Sequence, residues 1–220
     1  MAFRFPDPIY PIIDPGDRPD RSHVGLAEAV LAGGARFVQL RIKEGSTRRF
    51  VEIARTVKSL TDRYAAALIV NDRVDIARLV GASGVHLGQE DLSAKDARSW
   101  LGSDKVIGVS THNLPQAQEA VKSGAADYLG FGPIFTTTNK SNPDPIQGIE
   151  GLRQVRKHCR LPLVAIGGIT RETLGQVLGA GADAVAVIGA IAQQADPRDA
   201  TRDLLERARS VVPRASSQKG

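Results

Sequence analysis

Several short stretches of the chain place cations, amides, carboxylates and hydroxyls directly after apolar runs. One reads Gln39-Leu40-Arg41-Ile42-Lys43. In an extended backbone Gln39, Arg41 and Lys43 fall on one side, and two convergent cations suit a phosphate or diphosphate. The competing reading is a solvated basic edge, weakened because Gln39 and Arg41 lie in the apolar body of the run. Two more runs, Leu68-Ile69-Val70 and Val85-His86-Leu87, lead into Asn71-Asp72-Arg73 and Gly88-Gln89-Glu90-Asp91. Asp72 and Asp91 each offer a carboxylate, and hard oxygen donors with room left for water and phosphate oxygens suit Mg2+. Helix capping competes, since Asp72 could cap a helix from Val74 and Asp91 one near Ser93. Spacing alone leaves these two readings level.

Further along, Ser110-Thr111-His112-Asn113 can bind phosphate or cap a helix at Pro115, and by itself is weak. Residues 131–143 form the longest irregular stretch, and Thr136-Thr137-Thr138-Asn139-Lys140 within it offers hydroxyl, amide and ammonium donors to an anion. Ile166-Gly167-Gly168-Ile169 and Val187-Ile188-Gly189-Ala190 close the series. Glycine there lets backbone N–H groups and a helix start approach a phosphate, or serves only a tight turn. No Ser-His-Asp set, H-E-x-x-H or Walker loop accompanies them, and His86 and His112 read more readily as structural residues than as bases. The chemistry therefore points to displacement of a diphosphate helped by a metal and cations, without a strong base or protein nucleophile.

Such residues need a scaffold that gathers strand ends. Strands are predicted at Ile9–Ile13, Phe37–Arg41, Leu68–Val70, Val85–Leu87, Val106–Val109, Tyr128–Gly130, Leu163–Ile166 and Ala184–Ile188. Helical periodicity falls between them, at Leu26–Leu31, Phe50–Leu60, Val74–Val80, Ala94–Leu101, Pro115–Val121, Ile149–Lys157, Thr173–Leu178 and Ala200–Val211. Gly34-Ala35, Gly81-Ala82, Gly124-Ala125 and Gly181-Ala182 repeat ahead of every second strand. This alternation predicts an α/β fold, a single (β/α)8 TIM barrel spanning 1–220, with an extension at about 1–7 and a flexible tail at about 213–220. A doubly wound sheet would want a glycine-rich phosphate loop after its first strand, and Asp14-Pro15-Gly16 is not one.

Composition sets the outer bounds. A chain of 220 residues with 42% hydrophobic and 24% charged residues can bury a core. Its longest apolar stretch, Ala184–Ala192, is too short to span a bilayer. Arg4, Pro6, Asp7 and Pro8 stand where a signal peptide would need an apolar run, and Cys159 is the lone cysteine, so a cytoplasmic protein without membrane partners is expected. The net charge of +5 favours anionic partners, but scattered bases and 5% aromatics argue against nucleic acid.

Taken in order, these motifs resemble thiamine-phosphate synthase, the thiamine-phosphate pyrophosphorylase family. The resemblance runs from Tyr10 to about Ala195 and rests on Gln39–Lys43, Val70–Arg73, Val85–Asp91, Gly108–His112, Gly130–Phe135 with the threonines after it, Ala165–Ile169 and Ile188–Ile191. It implies a transferase that joins a hydroxymethylpyrimidine diphosphate to a thiazole phosphate, or its carboxylated form, giving thiamine phosphate and diphosphate. By the same resemblance Gln39, Arg41, Lys43 and Asn71 would bind the pyrimidine diphosphate, and Asp72 and Asp91 would hold Mg2+. Ser110 and Lys140 would contact the diphosphate, Thr137 and Asn139 the thiazole carboxylate, and Gly167, Gly168, Ile188 and Gly189 the thiazole phosphate. Arg41, Lys43, Ser110 and Lys140 are the expected catalytic groups.

The chain departs from the family pattern twice. Thr137-Thr138-Asn139-Lys140 replaces the usual Thr-x-Thr-Lys, and Gly189 stands where serine is usual. The rivals are a thiazole tautomerase on the same barrel and a non-catalytic thiamine-phosphate binding protein. Neither needs the acidic pair with Arg41, Lys43 and Lys140. Whether identical chains assemble stays open.

Overall fold

Eight short apolar runs pair in parallel, each with the next in the chain and the last with the first. They are β1 (Ile9–Ile13), β2 (Phe37–Leu40), β3 (Ala67–Asn71), β4 (Gly84–Leu87), β5 (Val106–Thr111), β6 (Tyr128–Phe131), β7 (Leu163–Ala165) and β8 (Ala184–Val187). This computed structural model describes residues 3–136 and 145–211. The expected barrel is therefore closed, and helices alternate with its strands: α1 (His23–Ala32), α2 (Thr47–Arg63), α3 (Val74–Leu79), α4 (Ala94–Leu101), α5 (Leu114–Ser123), α6 (Gly148–His158) and α7 (Leu174–Gly179). A short α8 (Gly189–Ala192), which periodicity did not announce, precedes the last helix, α9 (Pro197–Val211). Four residues make barely one turn, too few for a 3.6-residue pattern to register.

Strand alternation divides the interior into two cores. Ile13, Val38, Leu40, Val70, Val85, Ile107 and Leu129 face the helices, while Tyr10, Ile12, Phe37, Ile69, Tyr128, Val164, Ala184 and Ala186 fill the barrel. Phe3 and Phe5, in the segment expected as an extension, pack against Phe37, Tyr10 and Tyr128 with ring centroids 5.1–5.9 Å apart. They seal the end of the barrel where the strands begin. Buried Asp7 receives a hydrogen bond from Arg209, which ties this segment to α9.

The recurrent Gly-Ala pairs have one cause. Gly34, Gly81, Gly124 and Gly181 all take positive φ, between 67° and 110°, where the chain leaves a helix, and the alanine after each is buried on the way to a strand. Among the described residues no helix is long and apolar enough to cross a membrane.

Strand limits differ from expectation by a residue or two where the chemistry sits. β2 stops at Leu40, because Arg41 turns its side chain to Asp14 while its N–H still bonds Ile13 at 3.1 Å. β5 runs on to Thr111, held by Thr111 Oγ1 donating to the Gly130 carbonyl at 2.9 Å.

Interior volume gives a direct test. A Cβ on Gly108 of β5 would enter the Tyr128 ring, so Gly108→Ala is expected to cost about 1–3 kcal/mol of stability by overpacking. Urea unfolding followed by circular dichroism measures it, and an unchanged midpoint would show that Tyr128 has slack.

Candidate active site

The C-terminal ends of β2 to β5 bring most of the expected residues to one mouth. Gln39 points inward and is buried, and Asn71, paired with His86 across β3 and β4, is also buried. Arg41 forms an ion pair with Asp14 at the end of β1, both largely shielded from solvent. His23 Nε2 meets the Arg41 carbonyl at 3.1 Å, and burial holds the His23 pKa below its ordinary value. Lys43 lies beyond the strand and donates to Asp72 Oδ2 at 2.6 Å.

Asp72 and Asp91 come together, and neither caps a helix. The Arg73 cap position of α3 makes no side-chain bond, and Ser93 caps α4 by accepting from the Asp96 N–H. Asp72 instead sits at φ 63°, a left-handed conformation that turns its carboxylate to Lys43. Asp91 Oδ2 accepts from the Gly88 N–H at 2.7 Å. Burial raises the Asp91 pKa, and the adjacent Asp72 carboxyl raises it further, against the pull of the Gly88 N–H and Lys43. Two carboxylates thus share one lysine. No cluster of three or more His, Cys, Asp or Glu side chains suited to a metal occurs among the described residues. A hard cation that completes its shell with water and phosphate oxygens nevertheless fits a carboxylate pair in this state. Beside it a cleft of about 180 Å³, lined by Lys43, Ser46, Thr47, Asp72 and Arg73 among others, opens to solvent.

A run of buried hydrogen bonds crosses the barrel just below this mouth. Gln39 Nε2 donates to Tyr10 Oη at 3.0 Å, and Tyr10 Oη meets Tyr128 Oη at 3.0 Å. Tyr128 Oη meets His86 Nδ1 at 2.9 Å, and His86 Nε2 meets Ser110 Oγ at 2.9 Å. Burial pushes both tyrosine hydroxyls above their ordinary range and holds the His86 pKa down to about 4, with the charge of Asp72 acting the other way. Sequence reasoning missed Tyr10 and Tyr128, which look like core aromatics. The signal available was a pair of inward glycines in strands, Gly108 and Gly130, where the Tyr128 and His86 rings take the space.

The opposite side of the mouth is formed after β6, β7 and β8. Asn113 caps α5 through the Gln116 N–H at 2.9 Å, and His112 Nδ1 meets the Gly132 carbonyl at 2.8 Å. Thr137, Asn139 and Lys140 lie outside the described residues. Gly167 and Gly168 take φ of 100° and 64°, and a Cβ on either would collide with Pro133, Phe135 or Thr136. They therefore seat the start of the β6 loop, whose Phe135 N–H bonds the Gly167 carbonyl at 3.0 Å. Ile188 and Gly189 open α8 beside them, because β7 and β8 are neighbours.

Comparison with known proteins agrees with this arrangement. Residues 9–191 match a family model described as thiamine monophosphate synthase. A thiamine-phosphate synthase of Chloroflexus aurantiacus is 46% identical over 89% of this chain and 90% of its own length. One from Shouchella clausii is 44% identical over 90% of this chain and 94% of its own. A solved structure titled thiamine phosphate pyrophosphorylase, from Pyrococcus furiosus, superposes with a TM-score of 0.83 at 39% identity, covering 93% of this chain and 96% of that one.

The left-handed backbone at Asp72 separates its conformational from its chemical part. Asn adopts this region more readily than Ala, so Asp72→Ala is expected to be less stable than Asp72→Asn by ~1 kcal/mol. Both substitutions remove the Lys43 pair, so urea midpoints compared between the two report the backbone term. Equal midpoints would remove the conformational constraint.

Proposed function

The chain belongs to the thiamine monophosphate synthase family, and on that premise we propose how its barrel mouth carries out the family's reaction. The activity is that of a transferase, joining a pyrimidine diphosphate to a thiazole phosphate to give thiamine phosphate and diphosphate. The bond between the pyrimidine methylene and the diphosphate oxygen breaks, the electron pair leaving with diphosphate. The aminopyrimidine stabilises the methylene cation left behind, and the thiazole nitrogen supplies the electron pair of the new carbon–nitrogen bond. No proton has to be removed by a protein base, in keeping with a His86 whose basicity burial lowers and whose two ring nitrogens both have hydrogen-bond partners.

Gln39 and Asn71 hold the pyrimidine, while Arg41, Lys43, Ser110 and Lys140 engage the diphosphate and stabilise charge as it grows there. Asp72 and Asp91 would hold Mg2+, which would neutralise charge growing on the leaving diphosphate. The observation that carries this assignment is the contact of Asp72 with Asp91, two carboxylates served by one lysine beside an open cleft. Thr137 and Asn139 are assigned to the thiazole carboxylate in this reading, and the backbone of Gly167, Gly168, Ile188 and Gly189 to the thiazole phosphate. We place the reaction in the cytoplasm, where a free, buried Cys159 raises no redox demand.

Two measurements test the assignment. Diphosphate release from both substrates is expected to require Mg2+ and to fall by about a hundredfold or more in Asp91→Asn at limiting metal. Release indifferent to the metal would overturn it. Independently of turnover, Mg2+ is expected to raise the melting temperature of the wild type but not of Asp72→Asn or Asp91→Asn. Because burial and the adjacent Asp72 raise the Asp91 pKa, protons compete with the ion above the ordinary aspartate range, so the shift grows as pH rises through that region towards neutrality. A shift that shrank with rising pH would place the ion elsewhere.

A further inference from the structure

With the Gln39 amide nitrogen turned to Tyr10, the hydrogen bonds from Gln39 to Ser110 run in one self-consistent direction. The Gln39 amide nitrogen has protons and no acceptor, so the Tyr10 oxygen must accept from it. Tyr10 then has a single proton to give, and its remaining partner is the Tyr128 oxygen. Tyr128 in turn gives its proton to His86 Nδ1. An imidazole that accepts at Nδ1 carries its proton on Nε2, which donates to Ser110 Oγ. Both ends are thereby set: the Gln39 carbonyl oxygen is left as an acceptor, and the Ser110 hydroxyl proton is left to donate. Five residues on five different strands share this polarity.

Packing holds the chain of bonds in place. The Tyr128 ring stacks on His86 at 5.5 Å, and Tyr10 lies 4.8 Å from Phe37. Phe5 supports Tyr128 from beneath at 5.1 Å. Gly108 leaves the volume that Tyr128 fills, and a Cβ on Gly130 would stand 3.0 Å from His86 Cε1. Buried hydroxyls so placed have no water to turn to, so reversing one bond would require reversing all.

We propose that Tyr10, Tyr128 and His86 are positioning residues that fix the orientation of Gln39 and Ser110, making the mouth complementary to a ligand that donates at the Gln39 end and accepts at the Ser110 end. This deepens the assignment above and rests on it: the exocyclic amino group of the pyrimidine meets Gln39, and a diphosphate oxygen meets Ser110. An analogue with a keto oxygen in place of that amino group would face the Gln39 carbonyl oxygen with a second acceptor and be rejected.

Steady-state kinetics of Tyr10→Phe, Tyr128→Phe and the double variant test it, with Gln39→Ala as reference. Phe keeps the ring and the packing, so a purely structural role leaves the kinetics unchanged. The directed chain instead predicts that each single variant lowers kcat/KM for the pyrimidine diphosphate about tenfold. The double variant is expected to be no worse than either single, since a chain is broken only once. KM for the thiazole phosphate stays within about twofold, because that end of the mouth is not on the chain. Normal kinetics in both Phe variants, or losses that multiply, would overturn the positioning role. If Gln39→Ala still shows a defect, the site assignment survives that outcome; if Gln39→Ala is also silent, both fall. Nitrogen-15 NMR of histidine-labelled wild type, with His86→Gln to identify the signal, gives a readout independent of variant folding. The expected signal is a neutral ring protonated at Nε2, and a proton on Nδ1 would refute the stated direction.

Discussion

A barrel of eight strands has little interior volume, and the way that volume is divided governs the rest of this molecule. Tyr128 reaches across the space that Gly108 leaves empty, and His86 occupies the space beside Gly130. Because these rings are large and their polar atoms are buried, each must find a partner at its tip. The partners are one another. Filling the core and placing the polar groups at the mouth are therefore the same structural act. Loss of a partner inside the barrel would leave a buried hydroxyl unsatisfied, at a cost of about 1–3 kcal/mol.

Above that layer the forces are of a different kind. Arg41 and Lys43 are each held by a carboxylate, Asp14 and Asp72 respectively. The Lys43 side chain is 51% exposed, so its pair is worth at most about 1 kcal/mol. Such a weak bond leaves Lys43 free to change partners at small cost. The Asp72–Asp91 contact runs in the opposite sense, since each carboxylate disfavours charge on the other and Lys43 offsets this only in part. The mouth thus sets one weak attraction beside one carboxylate pair, above a buried hydrogen-bonded layer.

Much of this was legible in the sequence because it was written in local patterns. Alternation located all eight strands, and Gly-Ala pairs marked the left-handed exits of four helices. Gln39, Lys43, Asp72 and Asp91 could be singled out because polar residues within or shortly after apolar runs mark strand ends, where a barrel gathers its functional groups. The rest depended on distant pairing. Nothing near Tyr10 indicates that its hydroxyl meets Tyr128, and nothing near Asp14 indicates that it holds Arg41. The choice between capping and clustering for Asp72 and Asp91 was likewise undecidable from spacing, since both need a carboxylate at the same offset. Gly167 and Gly168 show the converse. Their sequence suggested close approach by an anion, and the close neighbour they display is the chain itself at residues 133–136.

Phe3 and Phe5, packed tilted and edge-on against Phe37 and Tyr128, close the barrel at its base. Side chains fill the interior above that plug, so the barrel is no conduit and ligands gain access at the face formed by the strand C-terminal ends. Both reactants and both products therefore have to enter and leave on that face.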